Sequence, residues 1–278
     1  MKLSRFTRWS IIVLSNLRRV FLHCQHLVGF GFYTTSLDWA ALGAKARNFL
    51  VSIPPGVRFL DWKGPKLGCN FSLIIKRICQ SLIALRCSLV ELRTPLPSVS
   101  FPKLTHFYLP VGPGVSGVLC DWQMPALTHL YVSGVMNNSV IAVIIRSRVT
   151  LRCVVREHGA TPELIVQIPK VTPNLEEFTY HLRDGMELFW KSVRTHSSLQ
   201  DIVVVIQHFI SRGIYQAPSV SALCTHLQPL TKAHFPKLRG VTIVGLKIHS
   251  LHTQKRAPLD AILDAWNTFG IEAKFYDP

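Results

Sequence analysis

The sequence predicts one α/β domain over residues 1–278: a curved solenoid with parallel strands on its concave face and helices and irregular segments on its convex face. Three observations lead there. The chain is 48% apolar and only 17% charged over 278 residues, a composition that folds around a core. A pattern Pro-x-Leu-x-x-apolar-x-apolar recurs, opening with Phe101-Pro102-Lys103-Leu104, Met124-Pro125-Ala126-Leu127, Thr172-Pro173-Asn174-Leu175 and Phe235-Pro236-Lys237-Leu238. The leading leucines Leu104, Leu127, Leu151, Leu175 and Leu199 follow one another at spacings of 23, 24, 24 and 24 residues.

Leu27, Val57 and Leu82 extend the series backwards and Leu238 extends it forwards, giving nine irregular repeats over residues 27–243. In each, the marker and the residues three and five positions on form apolar slots; 26 of 27 are filled, Arg156 being the exception. Such a segment ends in a short strand, since alternate strand residues face opposite sides. The roughly 15 residues left in each unit return the chain so that the next strand lies parallel to the last. One unit cannot bury its own apolar stripe, so neighbours share a continuous core.

The elements follow in order. Residues 1–26 form a helical cap with Ile12, Val13, Leu17, Val20 and Phe21 on its apolar face. Within His23-Cys24-Gln25-His26, Cys24 reads as a small buried hydrophobe. Asp38 caps a helix carrying Trp39, Leu42, Ala46, Phe49 and Leu50. Val111–Trp122, with three Gly and Pro113, reads as an irregular loop. Thr161-Pro162 reads as a cap followed by Pro at the first helical position, and Asp184 with Glu187 as a capping box. A C-terminal cap over 257–278 contains a helix opened by Pro258 and Asp260, stopped by Gly270 and followed by Ile271–Phe275.

Seven cysteines are scattered without any Cys-x-x-Cys, which indicates neither a disulfide framework nor a Cys-rich zinc site and suits a reducing compartment, cytoplasmic or nuclear. The basic start breaks off at Ser15-Asn16, too early for a secretory signal, and no uncharged apolar stretch approaches the ~20 residues of a membrane span.

These openings, with Cys-Gln-x-Leu at Cys24 and Cys79 and Lys/Asn-Leu at 103, 174 and 237, resemble a leucine-rich repeat protein. More narrowly, they resemble the repeat region of fungal F-box-like proteins. The resemblance implies a substrate receptor of a ubiquitin ligase, whose repeats hold a protein while an F-box docks on the cullin-ligase adaptor. No F-box matches residues 1–26, so the adaptor is expected as a partner only where that bundle is missing from this sequence.

Residues two, four and six positions after each marker are expected on the concave sheet face: His106, Tyr108, His129, Tyr131, Ser133, Glu177, Thr179, His181 and Asp201. His106 and His129 share one slot and Tyr108 and Tyr131 the next, a ladder of side chains with apolar bodies and polar tips suited to a protein or peptide. Duplication and sheet propensity alone also account for the ladder. A metal held by His106, His129 and His181 lacks a carboxylate or Cys to complete it, so neither metal nor cofactor is expected.

The net charge is +16, and residues 1–120 hold 15 Lys/Arg against three acids, a balance of +12. Nucleic acid or an acidic partner on this basic half is the alternative reading. No Gly-x-Ser-x-Gly, His-Glu-x-x-His or phosphate loop is present. The expectation is a binding module and not an enzyme.

Overall fold

The computed structural model describes residues 5–24, 26–33, 44, 48–63, 70–87, 98–111, 121–134, 138–156, 162–183, 185–206, 219–246 and 253–277. The strands are β1 (Gly29–Tyr33), β2 (Phe59–Lys63), β3 (Ala84–Cys87), β4 (Val99–Ser100), β5 (His106–Val111), β6 (Trp122–Gln123), β7 (His129–Gly134), β8 (Cys153–Arg156), β9 (Glu177–Leu182), β10 (Asp201–Ile206), β11 (Gly240–Val244) and β12 (Glu272–Tyr276). The helices are α1 (Arg5–His23), α2 (Asn70–Ile78), α3 (Asn138–Arg146), α4 (Pro162–Val171), α5 (Phe189–Val193), α6 (Val220–Leu227) and α7 (Thr253–Thr268).

Ten strands make one parallel sheet in the order β1-β2-β3-β5-β7-β8-β9-β10-β11-β12, and β4 and β6 pair separately. The order runs with the chain and never doubles back. The chain divides into two compact units, Met1–Leu130 with Asn137–Ser147, and Tyr131–Met136 with Arg148–Pro278.

The local chemistry of the recurring opening is a tight turn. Leu104 N–H donates to Phe101 O, Leu127 to Met124 O, Leu175 to Thr172 O and Leu238 to Phe235 O, at 3.0–3.3 Å. Proline at the second turn position presets φ for this geometry. Where the chain has no proline there, His196 substitutes: its Nδ1 accepts from Leu199 N–H at 3.1 Å while Nε2–H donates to Thr172 O at 2.9 Å. Each turn delivers a leucine with no exposed surface: Leu104, Leu127, Leu175, Leu199 and Leu238 are all at 0%. The next residues join the preceding strand, as when Thr105 and His106 N–H both donate to Ile83 O.

In the first unit the core includes Trp62, Phe101, Phe107 and Trp122, with Phe32 stacked on Trp62 at 4.8 Å and Phe101 packed on Trp122 at 4.9 Å. In the second, Phe178, Tyr180, Phe189, Trp190 and Phe235 form one aromatic cluster. Arg156, the polar exception among the slots, is itself buried. Its guanidinium donates to Val132 O at 3.1 Å and Gly134 O at 2.5 Å, holding carbonyls at the end of β7.

The leucine-rich-repeat solenoid is therefore corrected, and with it the resemblance to F-box-like repeats and the ubiquitin-ligase receptor it implied. The structure is a continuous ten-stranded parallel sheet with flanking helices, not a tandem array of like units. Successive strands of the sheet begin 22 to 39 residues apart, and their returns differ: nine residues of helix in α3, ten in α4, five in α5, and the β4–β6 ladder around β5. The near-constant period holds only from β5 to β10, where it reports the spacing of strand starts. It does not report that the returns are copies.

The expectation of a purely non-catalytic module is corrected as well. A parallel α/β core with buried polar and aromatic clusters and flanking ion pairs is an architecture typical of catalytic folds.

Other elements differ in detail. In α1 the buried side chains include Leu14 and Phe21, whereas Val20 is half exposed, and Cys24 is exposed, not buried. α4 does start at Pro162. α7 starts at Thr253 and takes Pro258 inside it. Gly270, at φ +67°, ends it by the left-handed turn that favours glycine. Of the helix expected after Asp38, Phe49 and Leu50 are helical and buried, while Asp38, Trp39, Leu42 and Ala46, the loop over 112–120 and the caps Thr161 and Asp184 lie outside the described residues.

Candidate functional site

The polar sheet face of the first unit gathers side chains from five strands. In-register pairing aligns Gly31, Asp61, Arg86 and Tyr108 across β1, β2, β3 and β5. Gly31 leaves room for the Tyr33 ring, since a Cβ there would lie 3.0 Å from Tyr33 Cε2. The Tyr33 hydroxyl thus reaches Asp61 and donates to its carboxylate, a bond that raises the phenol above its ordinary pKa. Asp61 is 3.8 Å from the Arg86 guanidinium, whose Cζ sits 4.2 Å from the centre of the Tyr108 ring. A cation over an aromatic face at such a site contributes about 0.5–1 kcal/mol, enough to fix the Arg86 head without withdrawing it from solvent.

Beside this row, His106 and His129 stack with ring centres 4.1 Å apart and planes within 8°. Each is set by the threonine before it: Thr105 Oγ1 lies 2.9 Å from His106 Nδ1 and Thr128 Oγ1 2.8 Å from His129 Nδ1. Both hydroxyls also donate to carbonyls of the preceding strand, Ile83 O at 3.3 Å and Thr105 O at 3.1 Å. A hydroxyl has one hydrogen, so each must accept from Nδ1–H. Both neutral rings therefore turn an Nε2 acceptor outward. Desolvation, with the second imidazole adding to it, lowers the His106 pKa.

The second unit holds the remaining expected residues. Glu177 and Asp201 are direct partners in register on β9 and β10, and Thr179 faces Val203. The Cys153 thiol hydrogen-bonds Glu177; burial foremost, then that carboxylate, pushes its pKa to about 12, so it is no nucleophile. Burial, then Cys153 and Glu177, raises Tyr131. Asp201 pairs with Arg239 at 3.0 Å, and Gly240 makes space for it, since a Cβ there would approach its Oδ1 to 2.9 Å. His181, expected on the open face, is instead buried at 9% exposure.

The structure thus brings His106 and His129 together and sets Tyr108 against a residue that the sequence reading missed. Asp61 and Arg86 lie four positions after Val57 and Leu82, the same offset that selects Tyr108. Carrying that offset back two strands finds them. Among the described residues no group of three or more His, Cys, Asp or Glu could hold a metal ion, and no helix is long and apolar enough to cross a membrane. Neither a family model nor a curated protein matches the chain.

Proposed function

We propose that the polar sheet face of the first unit binds an acidic protein segment, with Arg86 and Tyr108 as the anchor and the His106–His129 stack as a second contact. The observation that carries the reading is the Arg86 guanidinium held over the Tyr108 ring, 4.2 Å from its centre: a cation already positioned by its own strand neighbours loses little freedom on binding a carboxylate. Charge complementarity supports it, since residues 1–120 carry +12 within a chain of +16. Tyr and Arg at an accessible face are also the side chains that contribute most to protein interfaces.

A fluorescein-labelled Glu-rich decapeptide titrated by anisotropy tests this. The double variant Arg86→Met/Tyr108→Ala should bind it about tenfold or more weakly, because both groups are anchors, while far-UV circular dichroism stays unchanged. Affinity should rise as pH falls below about 6.5 towards 5, since protonating His106, whose pKa burial and the second imidazole lower, adds a cation while the peptide carboxylates stay largely ionised. His106→Gln/His129→Gln should abolish that rise. Unchanged affinity in the anchor variant, or tighter binding of a DNA duplex with a steep salt slope, overturns the reading.

A further inference from the structure

We propose that the cleft between α6 and α7 in the second unit binds an uncharged small molecule with an apolar body and one hydrogen-bonding end. The cleft measures about 1020 Å³, at the upper end of the roughly 300–1,000 Å³ of ligand pockets. Among the described residues the thirteen that line it are all uncharged, in a chain of net charge +16. An ionised ligand entering it would give up hydration and meet no counter-charge.

The walls offer mostly apolar surface, because their polar atoms are already engaged. Trp266, 2% exposed, donates its indole N–H to Leu230 O at 2.7 Å and turns only its ring to the cleft. Thr225 Oγ1 donates to Ser221 O at 3.0 Å, and Ser219 Oγ accepts from Ala222 N–H at 3.1 Å. Thr231 Oγ1 lies 3.0 Å from His234 Nδ1, whereas the Ser221 hydroxyl and the Gln228 carboxamide, like the weakly polar Cys224 thiol, make no side-chain hydrogen bond among the described residues. Ser221 and Gln228 stand seven residues apart, on one face of α6 as it runs into Gln228. That places the ligand's polar end against α6 and its apolar body along Ile262 and Phe269 of the opposite wall.

The test uses N-phenyl-1-naphthylamine, a neutral apolar fluorophore with one N–H, on the full chain, followed by displacement with 1-decanol or decanoate at pH 8. Saturable binding is expected, with decanol displacing the probe at a concentration about tenfold or more below that needed of decanoate. Ala261→Trp and Ala265→Trp, both at exposed helical positions lining the cleft, should each fill it and weaken the probe by about tenfold or more with unchanged circular dichroism. If one variant does not fold, the other decides. Equal binding by wild type and variant, equal displacement by the two decyl compounds, or release of the probe on self-association, which would give the cleft to a second copy, overturns the proposal.

Discussion

Gly245→Ala is expected to unfold the second unit at ordinary temperature. Gly245 follows β11 with φ +91°, and an added Cβ would lie 2.1 Å from Ile206 O, well inside any tolerable contact. Its own N–H donates to Tyr276 O at 2.8 Å, so the backbone is held on both sides, by β10 and by β12, and has nowhere to retreat. Left-handed strain and a backbone clash together place the loss at about 4 kcal/mol or more, comparable with the whole stability of many domains. Gly56→Ala is the control: nothing lies within 4 Å of its Cβ position, and it is expected to be neutral or slightly stabilising. Thermal melts of the two variants check this; a Gly245→Ala midpoint within a few degrees of wild type would refute it.

Acid should destabilise the second unit through His226. This ring has no exposed surface, and its hydrogen bonds are fully assigned: Trp190 Nε1–H donates to the Tyr180 hydroxyl at 2.9 Å, that hydroxyl donates to His226 Nε2 at 2.5 Å, and Nδ1–H donates to Met186 O at 2.6 Å. A proton on Nε2 would leave the Tyr180 hydrogen without an acceptor in a closed aromatic cluster. Burial accordingly lowers the His226 pKa to about 4, against opposing effects of the Met186 bond and the Glu187 charge. Because the folded value lies below the ordinary 6.5, the unfolded chain binds the extra proton first. Stability is full above pH 6.5 and declines as pH falls towards 4, by about 3 kcal/mol in total. His196, likewise lowered by burial, adds to the decline with the same sign. Urea midpoints measured from pH 7.5 to 4 should show it, and His226→Gln should start less stable but decline less. An identical pH profile in His226→Gln would remove His226 as the cause.

The strands were legible because the apolar slots and the Pro-x-Leu turns act within a few residues. Those turns form where expected, and the leucines they deliver are buried. The class of fold was not legible. An equal period between strands says nothing about the return segments, and α3, α4 and α5 differ in length and packing although they follow strands at a single spacing. The stacked His106–His129 pair could be read from one shared slot on neighbouring strands. Arg86 escaped because Gln80 stands where β5 and β7 have their opening proline, and Asp61 because its unit, although opened by Pro55, carries Val57 in place of the leading leucine. His181 keeps the side that alternation assigns it, in register with Val205, but it is covered, since burial of a strand end depends on what lies over it. The Tyr180–His226 bond joins residues 46 apart through a helix, a pairing no local pattern encodes.

The strand order has a consequence for assembly of the molecule. Each strand of the large sheet lies beside the one made just before it in that sheet, so every hydrogen-bonded partner already exists when the next segment leaves the ribosome. Closing each link costs only the modest entropy of a short tether. The sheet can therefore grow by accretion during synthesis, and none of its neighbouring pairs waits for the far end of the chain.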